Sequence, residues 1–183
     1  AGCFDMDASD KFARFVDILD CYNIPMITLT DTPGFLPGKN QEHGGIIRHG
    51  AKTLEACYRA TVPKIQVVLR KNVGGACLPM GFNLFNLDVN LYWPTFDYGI
   101  MNPESACKII MKTKMKQDPE HADEILKDAV EEFVNARTPY SMCAHMWADD
   151  IIEPNETRMR LIKALELLRN KNPELIPIPE RKK

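Results

Sequence analysis

Apolar and polar positions change period several times along the chain. After Ser9, a candidate helix cap, Phe12, Phe15, Val16 and Leu19 follow the i, i+3, i+4, i+7 stripe of an amphipathic helix that ends at Asn23. Residues 24–31 (IPMITLTD) are β-rich and mostly apolar, which predicts a buried strand. Residues 32–45 (TPGFLPGKNQEHGG) are dense in Pro and Gly and predict a loop. A second helix is expected over 46–60, with Ile47, Ala51 and Leu54 on one side, and a second strand over 62–71 (VPKIQVVLRK). Gly74, Gly75 and Ala76 follow and start a short helix.

Two short strands are then expected at 88–94 and 97–102, and Pro103 suits the first turn of a helix. Residues 112–123 read as a solvated polar excursion. Helices over 124–137, 140–147 and 155–169 complete the pattern; the last turns Leu161, Ile162, Leu165 and Leu168 inward, and Pro173 stops it before a proline-broken tail. The alternation of helix, strand, loop, helix and strand predicts a mainly parallel α/β sheet. Strand-to-helix junctions in such sheets are where ligands bind, and both glycine-rich segments fall at one.

Composition narrows the classes. With 183 residues, 45% hydrophobic and 26% charged, the chain suits one soluble domain with a real core. A net charge of −2 leaves no basic footprint for nucleic acid. The apolar runs are too short to span a bilayer. No signal peptide opens the chain, and its Ala-Gly-Cys start implies a true start upstream. The cysteines at 3, 21, 57, 77, 107 and 143 form no CxxC, which argues against zinc and for free thiols in a reducing compartment, either cytoplasm or mitochondrial matrix.

The segment 73–81 (VGGACLPMG) leaves a strand with no charged side chain. It is either a tight packing corner or a turn whose own N–H groups hold a negative oxygen. It is neither a Walker motif nor a dinucleotide fingerprint. The stiff loop 31–45 presents Phe35 and Leu36, as an Ω-loop or as a bed for a flat ring. Cys77 is a candidate nucleophile or a packed thiol, with no histidine beside it in sequence. His43, His49, His121 and His145 show no metal spacing. Glu42, Arg48 and Lys52 are expected on a solvated or subunit-facing side, and Tyr92, Trp93 and Pro94 in core or interface.

Read jointly, DTPGFLPG (31–38), EHGGIIRHGAK (42–52), ATVPK (60–64), RK-x-x-GGA (70–76) and ADDIIEPNETRMRLIKALELLRNK (148–171) are specific. In this order and spacing they resemble the C-terminal half of the carboxyltransferase subunit of biotin-dependent acyl-CoA carboxylases, of the propionyl-CoA carboxylase and methylmalonyl-CoA transcarboxylase type. The likeness covers almost the whole chain, so residues 1–183 are expected to form that one domain. It implies a crotonase-like fold, assembly into hexamer-type oligomers, and partners: a CoA-binding N-terminal half, a biotin carboxyl carrier protein and a biotin carboxylase. It also implies biotin on its carrier and a coenzyme A thioester as the reacting groups, with no metal. Carried over, Gly75 and Ala76 supply the catalytic backbone amides. Gly34, Phe35, Leu36, Gly44, Gly45 and Gly74 are the expected biotin-binding residues, and Cys77 and Leu78 line the acyl pocket.

Where the family has GGAYDVM this chain has GGACLPM, so a Tyr and an Asp become Cys77 and Leu78. An apolar wall there points to an acyl group other or larger than propionyl. The resemblance leaves two further readings: a biotin-dependent decarboxylase of a sodium pump, and a non-catalytic assembly subunit, for which Pro79 after the turn would speak. Nothing corresponds to the CoA-binding half, so the chain alone is expected to be inactive.

Overall fold

The computed structural model describes residues 2–81 and 87–171. Helix α1 (Met6–Cys21) is capped by Asp5, whose carboxylate accepts from the Ala8 N–H at 2.7 Å. Ser9, the expected cap, lies inside the helix, fully buried, and its hydroxyl donates to the Asp5 carbonyl. The helix closes at Tyr22 and Asn23, which takes the left-handed conformation asparagine tolerates.

Strand β1 (Met26–Thr32) and the ten-residue strand β2 (Lys64–Val73) pair in parallel, with a register irregularity between Thr30 and Thr32. Strand β3 (Val89–Tyr92) joins β2 along Ile65–Val68, and β4 (Asp97–Gly99) joins it further on, along Lys71–Val73. The short strand β5 (Asp150–Ile151) adds beyond β3. All these ladders are parallel, as the alternation predicted.

The buried run Lys64–Val68 of β2 behaves as a central strand. Strand β1 does not: it alternates, burying Met26, Thr28, Thr30 and Thr32 while Ile27 and Leu29 stay exposed. An edge strand covered on one face alternates in this way. The buried threonines face a polar strip, with the Gln66 amide donating to Thr30 Oγ1 at 2.7 Å. The Asn90 amide donates to the Tyr92 hydroxyl and to the Trp147 carbonyl.

Helix α2 (Lys39–Gly44) interrupts the expected loop, and α3 (Ile46–Arg59) follows. Helix α3 is rotated from the expected phase. It buries Ile46, Gly50, Thr53, Ala56 and Cys57, whereas Ile47 is 71% exposed and Ala51 also faces outward, with Leu54 half-buried. The reason is close packing against α1, which offers Ser9, Ala13, Val16 and Leu19 while Phe15 points to solvent. Small residues let the two helices approach, so the bulky ones turn out.

After β2 come α4 (Cys77–Gly81), α5 (Pro103–Ile110), α6 (Lys112–Gln117), α7 (Ala122–Ala136) and α8 (Pro139–Ala144). The 112–117 part of the expected polar excursion is thus a helix, though it buries no residue. Pro103 opens α5 as expected, capped by Asn102, whose side chain accepts from the Glu104 N–H. A 3-10 turn (Pro154–Glu156) leads into α9 (Thr157–Leu167), where Ala164 is buried, Leu161, Leu165 and Leu168 are half-buried and Ile162 is exposed. Helix α9 lies on the sheet face of Val67, Leu91 and Ile152, with Leu161 in contact. Pro173 and the tail after it lie outside the described residues. No described helix is long and apolar enough to cross a membrane.

Candidate functional site

Two loops, some forty residues apart in sequence, meet at the ends of β1 and β2. The first leaves Thr32, whose hydroxyl donates to the Gly2 carbonyl at 2.8 Å and accepts from the Gly34 N–H at 3.3 Å. The segment around Phe4 straps this loop down: the Phe4 N–H donates to the Gly34 carbonyl at 3.0 Å, and the Leu36 N–H to the Phe4 carbonyl at 2.7 Å. The second loop is the Gly74 turn. Gly74 has φ +71°, and its N–H donates to the Gly99 carbonyl of β4 at 2.8 Å.

The loops touch through glycine. A Cβ on Gly74 would lie 3.3 Å from the Gly34 Cα, tighter than ordinary side-chain contacts. The Phe35 ring fills the wedge beside this contact. A Cβ on Gly75 would meet it at 3.2 Å and one on Gly50 at 2.7 Å. The structure therefore brings together Gly34, Phe35, Gly74 and Gly75. Leu36 stands at the rim, 38% exposed.

The remaining expected site residues sit differently. Gly44 ends α2 against the Met6 sulfur, and Gly45, at φ +89°, makes the corner between α2 and α3. Cys77 is buried and its thiol donates to the Gly74 carbonyl at 2.8 Å; Leu78 is half-buried. The Cys77 and Leu78 amides turn back onto the Gly74 and Gly75 carbonyls at 3.4 and 3.3 Å. Among the described residues no acceptor takes the N–H of Gly75 or of Ala76. Gly75 is exposed while Ala76 is fully buried, so the pair is approached from the Gly75 side. Backbone donors left over at such a turn are what a developing oxyanion needs.

Side-chain chemistry at the turn is quiet. Burial pushes the Cys77 thiol up to about 11, so it is protonated at neutral pH and no nucleophile. With thiol-labelling reagents at pH 8, the exposed Cys21 is expected to react first and Cys77 only on unfolding; rapid labelling of Cys77 in the folded chain, read by peptide mapping, would refute this. His49 pairs with Asp10 at 2.9 Å beside Lys52 on the α1–α3 surface. Lys52 above all, then His49, holds the exposed Asp10 carboxyl below the usual range. Tyr92 is buried, as expected, and the Trp93 indole donates to Thr157 Oγ1 at 2.9 Å. Among the described residues no cluster of His, Cys, Asp or Glu is placed to hold a metal.

Two features of this region escaped the sequence reading. One is Gly99 as the anchor of the Gly74 amide. The other is an apolar cavity of about 550 Å³ on the far side of β4. Neither has a local sequence signal, because both arise from strand pairing and from helices that follow later in the chain.

The parallel sheet and its paired glycine loops define a crotonase-like α/β domain. The solved transcarboxylase 12S structure, described as a hexamer assembly with methylmalonyl-coenzyme A and methylmalonic acid bound, superimposes on 99% of this chain and 34% of its own, with a TM-score of 0.89 at 42% identity. Residues 1–183 match the carboxyl transferase domain, and the chain belongs to that family. It is 44% identical over 174 residues to the propionyl-CoA carboxylase carboxyltransferase subunit of Haloferax mediterranei, covering 93% of this chain and 33% of that protein. It is 42% identical over 178 residues to the methylmalonyl-CoA decarboxylase subunit alpha of Propionigenium modestum, covering 96% and 34%. The chain thus spans about a third of the length of these relatives.

Proposed function

We propose that this chain is the C-terminal, biotin-side part of an acyl-CoA carboxyltransferase that works in a reducing compartment with a CoA-binding half, a biotin carrier protein and a biotin carboxylase, in a hexamer-type assembly. The observation that carries this reading is the pair of amides on Gly75 and Ala76 that no acceptor among the described residues takes, set at a turn that only glycine contact allows. When bound, biotin supplies the carboxyl group to be moved and afterwards the base for the acyl α-carbon.

The chain's own residues then have these parts. The Gly75 and Ala76 N–H groups donate to the ureido oxygen as negative charge grows there, at no reorganisation cost because the Gly74–Gly99 hydrogen bond and the Gly34 contact already aim the turn. Phe35 and Leu36 present the apolar bed for the ring, and Leu78 forms an apolar stretch of the acyl wall. The reaction needs position and dipoles rather than a charged side chain, which fits a turn without one. Pro79 is the third residue of α4, where a helix N–H has no intrahelical partner, so it costs no bond and supports a working turn over a defunct one.

Reconstitution tests the reading. This chain, a separately supplied CoA-binding half and biotinylated carrier are mixed with labelled carboxyl donor. Carboxyl transfer is expected only from the complete mixture, with a preference for acyl groups longer than propionyl. Leu78→Asp is expected to lower kcat/KM for those longer acyl groups about tenfold. No transfer from the complete mixture, or turnover by the chain alone, overturns the proposal. The likeness to a decarboxylase alpha subunit supports a second reading, the same turn used in reverse. Sodium-dependent release of CO2 with a membrane partner, in place of carboxylation, would favour it.

A further inference from the structure

The cavity beyond β4 lies between that strand and helices α5, α7 and α8, with Ile100, Met101, Ile109, Phe133 and Trp147 among its walls. Its walls are mainly apolar, with Tyr98, Ser141 and His145 the other polar groups beside Arg137, the residue after α7, which enters it. The Arg137 side chain is only 14% exposed. Both terminal nitrogens, Nη1 and Nη2, are out of solvent and have no hydrogen-bond partner among the described residues. Its Cζ stands 5.1 Å from the centre of the Phe133 ring. The guanidinium lies directly on Gly99, where a Cβ would come within 2.6 Å of Cζ. Its acidic neighbour Asp97 approaches Nη2 only to 3.5 Å, too far for a good hydrogen bond, and is itself 51% exposed.

A buried guanidinium with its fork unused is costly unless acceptor oxygens reach it. The space in front of it suits a small organic ligand in volume. A carboxylate matches the planar fork two oxygens to two N–H groups. A phosphate dianion fits worse, because Asp97 already places one negative charge beside the single cation. We propose that this cavity binds an apolar monocarboxylate, with its carboxylate on Arg137 and its hydrocarbon body against Ile100, Met101, Ile109 and Trp147. The site stands independently of the carboxyl-transfer reading. Gly99 serves it by lacking a side chain, while its carbonyl holds the Gly74 turn on the other side of the strand.

Decanoate and the neutral decanol are the probes. Each is titrated into the 183-residue chain below its aggregation limit, with Trp147 fluorescence as the signal and calorimetry for stoichiometry. Decanoate is expected to saturate one site and to bind at least tenfold tighter than decanol. Arg137→Met is expected to weaken decanoate about ten- to hundredfold and leave decanol unchanged. Because that variant changes a buried position, Asp97→Asn gives a second test on a half-exposed one. Removing the competing carboxylate is expected to tighten decanoate about two- to fivefold. Ala106→Trp, which fills the cavity, is expected to abolish binding of both probes. The proposal is overturned if decanoate binds no tighter than decanol, if Arg137→Met binds decanoate like the parent chain, if Asp97→Asn fails to tighten it, or if no saturable site is found.

Discussion

Gly74→Ala is expected to cut carboxyl transfer by the reconstituted enzyme about 10²- to 10³-fold, the loss that follows when backbone donors to an oxyanion are misplaced. Two effects add at this residue. Its φ of +71° costs an L-amino acid about 1–2 kcal/mol. Its new Cβ would press on the Gly34 Cα at 3.3 Å, and neither backbone has a flexible end that can yield. Relief comes by lengthening the Gly74–Gly99 hydrogen bond, which swings the Gly75 and Ala76 amides off their target. Gly38→Ala separates strain from aim. Gly38 has φ +141°, but a Cβ there meets nothing within 4 Å. It is expected to lower stability comparably while carboxyl transfer stays within a fewfold of the parent. Equal activity losses in the two variants would sink the role assigned to the turn.

The second large effect concerns Lys64, which is 1% exposed at the start of β2. Its ammonium donates to the Cys57 and Ala60 carbonyls at 2.7 and 2.9 Å, closing the C-terminal end of α3. Burial, and next the neighbouring Lys171, bring its pKa down from an ordinary 10.5 to about 8. In the unfolded chain it keeps its proton up to about pH 10.5, so between pH 8 and 10.5 the unfolded state binds more protons and stability rises with pH. Below pH 8 the full cost of the buried charge is present, roughly 3 kcal/mol. Urea unfolding of the parent chain and of Lys64→Met should therefore give stability curves that diverge by about 2 kcal/mol in favour of the parent between pH 7 and 9.5. Parallel curves would mean that the ammonium keeps its ordinary affinity for the proton.

Local signals carried much of the architecture. Residues 62–71 read as a strand because Ile65, Val67, Val68 and Leu69 are apolar and mostly β-branched behind Pro63, and Lys64–Val73 is one. Pro103 behind Asn102 marks a helix start because proline lacks an N–H that the first turn does not use. The paired glycines at 74 and 75, with no charged side chain over 73–81, mark either a packing corner or a backbone site, and a tight turn at φ +71° stands there. These readings depend on a residue's own conformational limits or on its immediate neighbours, so a sequence is enough to make them.

The phase of α3 was not legible, because what lies inside is decided by Phe35 over Gly50 and by the small face of α1, not by which positions are most apolar. The cap of α1 went to Asp5 over Ser9 because the segment around Phe4 is tied to the Gly34 loop, which sets where the helix begins. Strand β1 looked buried on both faces, yet its edge position leaves Ile27 and Leu29 outside. The sequence by itself determined the parallel order of elements and the glycine positions where the backbone is free to turn. Only the tertiary structure decided that Gly34 meets Gly74, that Gly99 anchors the turn, and that Arg137 is carried by α7 into an apolar cavity. Those are contacts between residues far apart in the chain, set by how strands and helices pack rather than by any local preference.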